Sequence, residues 1–336
     1  MVKAGAYGHR VDVAVPALGQ ADAFGVACLS EALQIQSLIQ AHQSIVLMEG
    51  AFSQAEWIDL CRLPFEVVIH SQDQLDWAIN SALGNTLSDK TSASQPKLWL
   101  KVNTGMNRLG FIPETAFTAY DQLIKAGFDV ALMSHFACAD EPDHPQNLEQ
   151  MLSFKALIEQ IGRQVVCSLG NSAALLSNTL THTDWVRPGL MLYGASPFDH
   201  QTASDLNLQA AMTFEAAVIS IQRVQAGDSV GYGAGFVAER TSSIAVVSAG
   251  YGDGYPRVVT GAQVVAAGQL CPVVGRVSMD MLCINITGLE SQVSIGTPVE
   301  LWGMSMPIDQ VAAAAGTIAY ELLCRLSNRP MRVTEA

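Results

Sequence analysis

Six side chains that can bind anions or carry protons follow short apolar runs in the first two thirds of the sequence. They are Lys3, Lys101, Arg108, His135, Ser172 and Arg187. Each lies at or just after the end of a segment with the composition of a buried strand. In parallel barrels, chemistry gathers at the carboxyl ends of the strands. The placement therefore predicts that the six side chains share one site.

The elements that would position them are strand-like runs alternating with helical patterns. Seven runs read as strands: DAFGVACL, SIVLMEG, FEVVIHS, KLWLKVNTG, VALMSHFA, VVCSLG and VRPGLMLYG. Alternation of this kind predicts parallel pairing, and a closed barrel needs eight strands. The eighth would end at Met1-Val2-Lys3, so we expect an α/β fold over residues 1–205. This fold is a TIM-like (β/α)8 barrel with its first strand largely missing, and Met1 is expected to be a mis-assigned start or the edge of a fragment.

The sequence after about residue 206 has a different composition, with runs of β-branched residues and frequent glycine. Examples are FEAAVISIQRV and CPVVGRVSMDMLCINI, and a helical stretch, PIDQVAAAAGTIAYELLCRL, follows them. These patterns predict a mainly β C-terminal domain over residues 206–336, antiparallel and closed by helices. The stretch GNTLSDKTSASQPK, near residues 84 to 97, is predicted to be an exposed loop.

Composition excludes several classes of partner. The chain has 336 residues, of which 49% are hydrophobic, and a net charge of −13. No basic cluster is long enough to follow a phosphate backbone or an anionic bilayer, so neither nucleic acid nor membrane is an expected partner. Seven cysteines without a C-x-x-C pair favour buried thiols of a reducing compartment over a disulfide or zinc framework. Histidine spacing indicates no metal site.

A series of motifs in order along the chain resembles the alanine racemase family. They are KAGAYGH, KVNTGMNRLG, SHFACADE, NSAA, VRPGLMLYG, GYGDGYPR, GRVSMD and IAYELL. The family consists of pyridoxal-5′-phosphate (PLP) enzymes with a TIM-like barrel and a β domain. The resemblance implies interconversion of L- and D-alanine by a two-base mechanism that supplies D-alanine for peptidoglycan. It also implies a cytoplasmic homodimer.

The resemblance assigns the reacting groups. Lys3 would form the Schiff base with PLP and act as one base, and Tyr251 would be the second base on the opposite face of the substrate. His135 would hydrogen-bond Tyr251 and meet Arg187, which would face the pyridine nitrogen. Without the motifs, His135 would read as a core histidine, Tyr251 as a turn aromatic and Arg187 as an ion-pair partner of Asp184.

The resemblance also assigns binding groups. Arg108 would contact the cofactor's phenolic oxygen and the substrate carboxylate, and Met279 would offer a backbone donor to that carboxylate. Lys101 would be either a carbamate that holds Arg108 or a plain salt-bridge residue. Tyr251 and Met279 would come from the partner subunit, so the site would need a homodimer. The expected phosphate and cofactor contacts are Tyr7, Asn171, Ser172, Gly189, Leu190 and Tyr320, although Ser172 alone would read as a helix N-cap.

Four positions depart from the family pattern. Gly5 stands where asparagine is usual, Arg10 replaces a common glycine, and Asn103 replaces an aspartate near Lys101. Gly252 occupies a position where several relatives have alanine, which we expect to be neutral. The alternatives left open are a broad-specificity amino-acid racemase and an inactive, truncated PLP-binding chain. A third, nucleotide binding through GYGAGF at 231 to 236, lacks a strand-turn-helix context.

Overall fold

The computed structural model describes residues 1–83, 95–177 and 183–334, and most of the loop predicted near 84 to 97 lies outside these residues. The chain divides into two compact units. The first consists of Met1–Ala6 and Arg10–Gly189, and the second of Tyr7–His9 and Leu190–Ala336. The domain boundary between residues 205 and 206 stays a prediction.

The first unit is built on a parallel sheet whose six strands follow one another in sequence order. The strands are β1 (Ala23–Val26), β2 (Ser44–Leu47), β3 (Glu66–Ile69), β4 (Leu98–Lys101), β5 (Val130–Met133) and β6 (Cys167–Ser168). The helical elements around them are α1 (Lys3–Tyr7), α2 (Val11–Ala17), α3 (Leu29–Ile35), α4 (Gln54–Leu60), α5 (Gln72–Leu83), α6 (Pro113–Lys125), α7 (Pro145–Ile161) and α8 (Ser172–Leu176). The predicted α/β, TIM-like class is confirmed.

Burial explains why these short apolar runs form strands. All four residues of β5 are buried, as expected for a parallel strand covered on both faces. Helix α6 starts with a proline in its first turn and buries one face, formed by Ala116, Ala119, Tyr120 and Leu123. The sheet and helices thus fix where each strand ends, and the loops after β4, β5 and β6 carry the candidate residues Arg108, His135 and Ser172.

The prediction of a seventh strand at VRPGLMLYG is wrong. The preceding Trp185 forms a single parallel bridge with Ser168, and the Arg187 N–H donates to the Gly170 carbonyl at 2.8 Å. Pro188 then offers no N–H to continue a ladder, and Leu190–Tyr193 form a 3-10 turn. At the other edge of the sheet, the Val2 N–H donates to the Gly25 carbonyl of β1 at 3.0 Å.

The second unit is a closed antiparallel barrel, which confirms the predicted β domain. Its strand order is β10-β13-β12-β11-β14-β7. The strands are β7 (Phe214–Val224), β10 (Ser242–Val247), β11 (Gln263–Ala266), β12 (Gln269–Val274), β13 (Leu282–Asn285) and β14 (Pro298–Trp302), with a separate pair β8 (Ser229–Val230) and β9 (Phe236–Val237). Helices α9 (Ile308–Ala315) and α10 (Ala319–Arg325) follow. A 3-10 turn at Tyr232–Ala234 joins β8 to β9, so GYGAGF lies in a hairpin.

Two further expectations concern thiols and membranes. All seven cysteines are free thiols. The expectation that they are buried is right for Cys61, Cys167 and Cys271 and wrong for the other four, of which Cys324 is exposed. Within the part of the chain that the structure describes, no helix combines the length and the apolar character needed to cross a bilayer.

Candidate active site

Lys3 begins α1, which is a single left-handed turn. Ala4, Ala6 and Tyr7 have φ angles of 52°, 56° and 52°. This conformation costs an L-residue other than glycine about 1–2 kcal/mol. The Ala6 N–H donates to the Val2 carbonyl at 2.9 Å and closes the turn. Backbone strain of this kind is concentrated at functional sites, and here it directly follows the half-buried Lys3.

Four cationic side chains of the first unit, Lys3, Lys101, Arg108 and Arg187, are close enough to change the pKa values of nearby groups. Burial lowers the pKa of Lys101 to about 8, and the charges of Arg108, Arg187 and Lys3 add to this effect. Burial lowers the pKa of His135 to about 3, and the charges of Arg187, Lys101, Arg108 and Lys3 add to this effect in that order. The structure therefore brings these five predicted residues into one electrostatic site, in which the imidazole is neutral at pH 7.

Arg187 is held by oxygen atoms from the ends of β5 and β6. Its Nη2 donates to the carbonyls of Ser134 at 2.5 Å and Leu169 at 3.1 Å, and its Nη1 donates to the Ser168 hydroxyl at 2.5 Å. Nη2 also lies 3.3 Å from Nδ1 of His135. A guanidinium can only donate, so Nδ1 is an acceptor and the imidazole carries its proton on Nε2.

The alternative pairing of Arg187 with Asp184 is not formed. The Asp184 carboxylate accepts the Cys167 N–H at 2.9 Å, and across the described ranges no carboxylate lies within ion-pair distance of Arg187. Burial lowers the pKa of Arg187 to about 10, which leaves the guanidinium charged at pH 7. The charge of Arg187 is therefore available to a ligand.

The residues predicted to bind phosphate in the first unit lie at the start of α8. Asn171 is the N-cap, since its Oδ1 accepts the Ala174 N–H at 3.0 Å. Ser172 is the first helical residue, and its hydroxyl accepts the Gly189 N–H at 2.8 Å. The N-cap reading of Ser172 is thus wrong, and the hydroxyl of Ser172 and the amide of Gly189 are adjacent.

Asn103 organises the loop that carries Arg108. Its Oδ1 accepts the N–H groups of Gly105 at 3.2 Å and Asn107 at 2.9 Å. Its Nδ2 donates to the Asn107 side chain at 3.1 Å, a bond that an aspartate could not make. The departure from the family pattern at this position therefore has a local structural role, and Arg108 follows it as an exposed side chain.

The other predicted phosphate contacts belong to the second unit. The Tyr7 ring stacks on Tyr193 with centroids 4.9 Å apart and lies 6.0 Å from the Tyr320 ring. Burial raises the pKa of Tyr7, so its phenol stays protonated and able to donate. Leu190 is fully buried and begins the 3-10 turn that directly follows Gly189.

The structure also brings together Tyr251 and Met279, from two loops of the second unit. The Tyr251 N–H donates to the Ser278 carbonyl at 3.1 Å, and the Gly252 N–H donates to the Met279 carbonyl at 2.8 Å. Both side chains are exposed, Tyr251 to 40% and Met279 to 53%. They lie side by side on the surface of this unit.

Sequence reasoning missed the residues that hold these two loops. Nη2 of Arg329 lies 2.8 Å from the Asp280 carboxylate, and its Nε lies 3.4 Å from the Asp253 carboxylate. Asp253 also accepts the Gly250 N–H at 2.9 Å. The two aspartates stand inside the motifs GYGDGY and VSMD and could have been noticed there, whereas Arg329 lies in no motif. In the first unit, sequence reasoning also missed Ser134, in the motif SHFACADE, and Ser168, in the predicted strand VVCSLG.

Comparisons with known proteins identify the family of the chain. The family model of the alanine racemase N-terminal domain matches residues 1–197, and that of the C-terminal domain matches residues 211–334. A Psychrobacter alanine racemase is 44% identical over 99% of this chain and 91% of its own length. The alanine racemase structure from Acinetobacter baumannii is 47% identical, with a TM-score of 0.91 over 99% of this chain and 90% of that one.

A less similar solved structure holds a cofactor. It is the Bartonella henselae alanine racemase with covalently bound pyridoxal phosphate, which is 28% identical with a TM-score of 0.86 and covers 99% of this chain and 90% of that one. Both family models and relatives above 40% identity cover nearly all of the sequence. The chain belongs to the alanine racemase family.

Proposed function

We propose that the chain is a PLP-dependent alanine racemase that interconverts L- and D-alanine and supplies D-alanine for peptidoglycan. The observation that carries the proposal is the contact of 3.3 Å between Arg187 and His135 inside a cluster of cations. Such a cluster fits a cofactor and a substrate that are both anionic. We further propose a cytoplasmic location, where the free thiols of the chain would persist.

Lys3 and Arg187 would hold the two ends of the cofactor ring system. Lys3 would supply the amine that binds the aldehyde carbon of the cofactor. When bound, the cofactor withdraws electrons from the substrate α-carbon and makes its proton removable. Arg187 would face the pyridine nitrogen and, because its charge persists at neutral pH, would oppose protonation of that nitrogen. An unprotonated ring would withdraw electrons less strongly, so return of the proton would be favoured over transamination.

Racemisation requires a base on each face of the α-carbon, and Lys3 and Tyr251 would provide them. A tyrosine phenol has a reference pKa near 10, so it needs stabilisation of its anion to act as a base at neutral pH. His135 can give that stabilisation, since its Nε2 carries the proton and its Nδ1 accepts from Arg187. The phenol would thereby be linked to a permanent cation.

The exposure of Tyr251 and Met279 supports a homodimer in which these residues serve the partner's site. Large side chains at 40% and 53% exposure are available for burial against a second copy of the chain. Met279 would then offer its backbone N–H to the substrate carboxylate. The active site would be complete only in the dimer.

The remaining predicted residues would bind anionic groups. Arg108 would contact the substrate carboxylate and the phenolic oxygen of the cofactor. Lys101, with its pKa lowered to about 8, has a neutral fraction able to add to carbon dioxide and become a carbamate facing Arg108. Across the described residues no carboxylate lies within ion-pair distance of either side chain, and Glu49 acts on Lys101 only as a more distant charge, so a carbamate would supply the close negative partner. The phosphate would be bound by Tyr7, Asn171, Ser172, Gly189, Leu190 and Tyr320.

The test is to incubate the purified chain with PLP and L-alanine and to follow the ellipticity of the amino acid. We expect decay to zero at constant alanine concentration, and no decay for Lys3→Ala. The same assay with L-serine and L-arginine separates an alanine enzyme from a broad-specificity one. A visible band of bound PLP with unchanged ellipticity would identify an inactive PLP-binding chain. Absence of both signals would contradict the proposal.

A further inference from the structure

Glu31, in the first turn of α3, joins two loops through its carboxylate. Its Oε1 accepts the Ala4 N–H at 2.7 Å, and its Oε2 accepts the Ala27 N–H at 2.7 Å. Ala27 directly follows β1, whereas Ala4 directly follows Lys3. The carboxylate therefore ties the left-handed turn α1 to the carboxyl end of β1.

The same connection recurs at the start of α5, where a glutamine makes it. Gln74 accepts the His70 N–H through Oε1 at 2.8 Å. Its Nε2 donates to the carbonyls of Glu49 at 3.1 Å and Ala51 at 2.9 Å, in the loop of the preceding strand. Gln74 thus joins the loop after β3 to the loop after β2.

A third connection is made by Gln150 of α7, which is almost fully buried. Its Oε1 accepts the Ala137 N–H at 2.9 Å, and its Nε2 donates to the His135 carbonyl at 2.9 Å and the Thr104 hydroxyl at 3.1 Å. Thr104 follows β4 and His135 follows β5. Glu31, Gln74 and Gln150 therefore make the same kind of connection between neighbouring loops, from every second helix around the sheet, α3, α5 and α7.

The partners explain why one of the three is a carboxylate. Gln74 and Gln150 face one N–H donor and several oxygen acceptors, which an amide satisfies with its oxygen and nitrogen. Glu31 faces two N–H donors, and only a group with two acceptor oxygens satisfies both. A glutamine at position 31 would place its NH2 group against one of the two backbone donors.

We propose that Glu31 is a positioning residue for Lys3. This inference rests on the proposed function, in which the amine of Lys3 binds the cofactor. The peptide between Lys3 and Ala4 carries the N–H that Glu31 accepts, so the carboxylate fixes the backbone from which the Lys3 side chain leaves. Because Ala4, Ala6 and Tyr7 are all in the costly left-handed region, the turn needs such an external hold.

The test compares Glu31→Gln with Glu56→Gln. Glu56 is a matched control because it occupies the first turn of α4 and its Oε2 accepts the Phe52 N–H at 2.6 Å, away from α1. Amide hydrogen exchange of the peptide covering residues 1–7 reports on the hydrogen bond without any cofactor. Mixing apoprotein with PLP reports the rate at which the visible band of the bound cofactor forms, and steady-state kinetics give kcat and KM for L-alanine.

For Glu31→Gln we expect faster exchange in this peptide, with PLP capture and kcat each reduced about tenfold and KM nearly unchanged. Glu56→Gln should leave these quantities at wild-type values. Wild-type capture and kcat in Glu31→Gln would overturn the proposal, even if exchange increased. If the wild-type chain itself captured no PLP, the proposed function would fail and the positioning role with it, while the exchange data would still decide the hydrogen bond.

Discussion

The two groups of candidate residues are held in opposite ways. In the first unit, Arg187 is fixed by carbonyl and hydroxyl oxygens at the strand ends, and its charge changes the pKa of neighbouring groups. In the second unit, Tyr251 and Met279 are exposed on loops tied by the half-exposed Arg329. The difference is one between a preformed polar cluster in the first unit and an exposed pair of loops in the second. Replacing Arg187 in the first unit and Arg329 in the second by methionine tests this difference.

The largest effect is expected for Arg187→Met. The change leaves the Ser134 and Leu169 carbonyls without their donor and removes the charge that the proposed mechanism needs. We expect kcat to fall by about 1000-fold and the free energy of unfolding to fall by about 2–3 kcal/mol. Steady-state kinetics and urea denaturation measure these quantities. A variant with kcat within tenfold of wild type would show that the cation is dispensable.

A smaller effect is expected from the protonation of His135. Its pKa is lowered from the reference 6.5 to about 3 in the folded protein by burial, Arg187, Lys101 and the other nearby cations. The unfolded chain therefore binds more protons below pH 6.5, and stability falls as the pH drops from about 6.5 towards 3. The group alone should remove about 2 kcal/mol between pH 7.5 and 5.

Denaturation of wild type and His135→Gln at both pH values isolates this contribution, because the other titrating groups are common to both chains. The variant should lose less stability over the same interval. Equal losses in the two chains would mean that the imidazole titrates normally in the folded protein.

In the second unit, Gly252→Ala should cost about 1 kcal/mol of stability. An added Cβ would lie 2.3 Å from Nη1 of Arg329 and 2.9 Å from the Met279 carbonyl oxygen. The arginine tip or the Met279 backbone must shift to make room, so we expect a cost where the sequence alone predicted a neutral change. Gly235→Ala is the control, since its Cβ would meet atoms only at ordinary contact distances. Thermal unfolding of both variants decides whether the close contact matters.

The smallest effect is expected for Arg329→Met. Both ion pairs involve a guanidinium that is half exposed, so the loss of stability should be about 0.5 kcal/mol and should shrink with added salt. Denaturation at low and high ionic strength measures it. A loss as large as that of Arg187→Met would erase the distinction between the two units.

The sequence predicted the strand ends well because buried parallel strands are apolar runs with sharp boundaries. Lys101 and His135 could therefore be placed from the sequence, whereas Arg187 lies in a predicted strand that does not form. The partners of Arg187 could not be predicted, since backbone carbonyls carry no sequence signal. The seventh strand failed because VRPGLMLYG has the apolar character of a strand, whereas Pro188 interrupts the hydrogen bonds that would define one. The left-handed conformation of α1 could not be predicted either, because the two alanines of KAGAY normally favour a right-handed helix.

That handedness has a consequence for mirror-image residues. The φ angle of 52° at Ala4 is costly for an L-residue but lies in the helical region preferred by a D-residue. A chain assembled by chemical ligation with D-alanine at this exposed position would enter the turn without that backbone penalty. The loop that carries Lys3 is thus a segment in which the mirror-image form of alanine suits the backbone better than the encoded one.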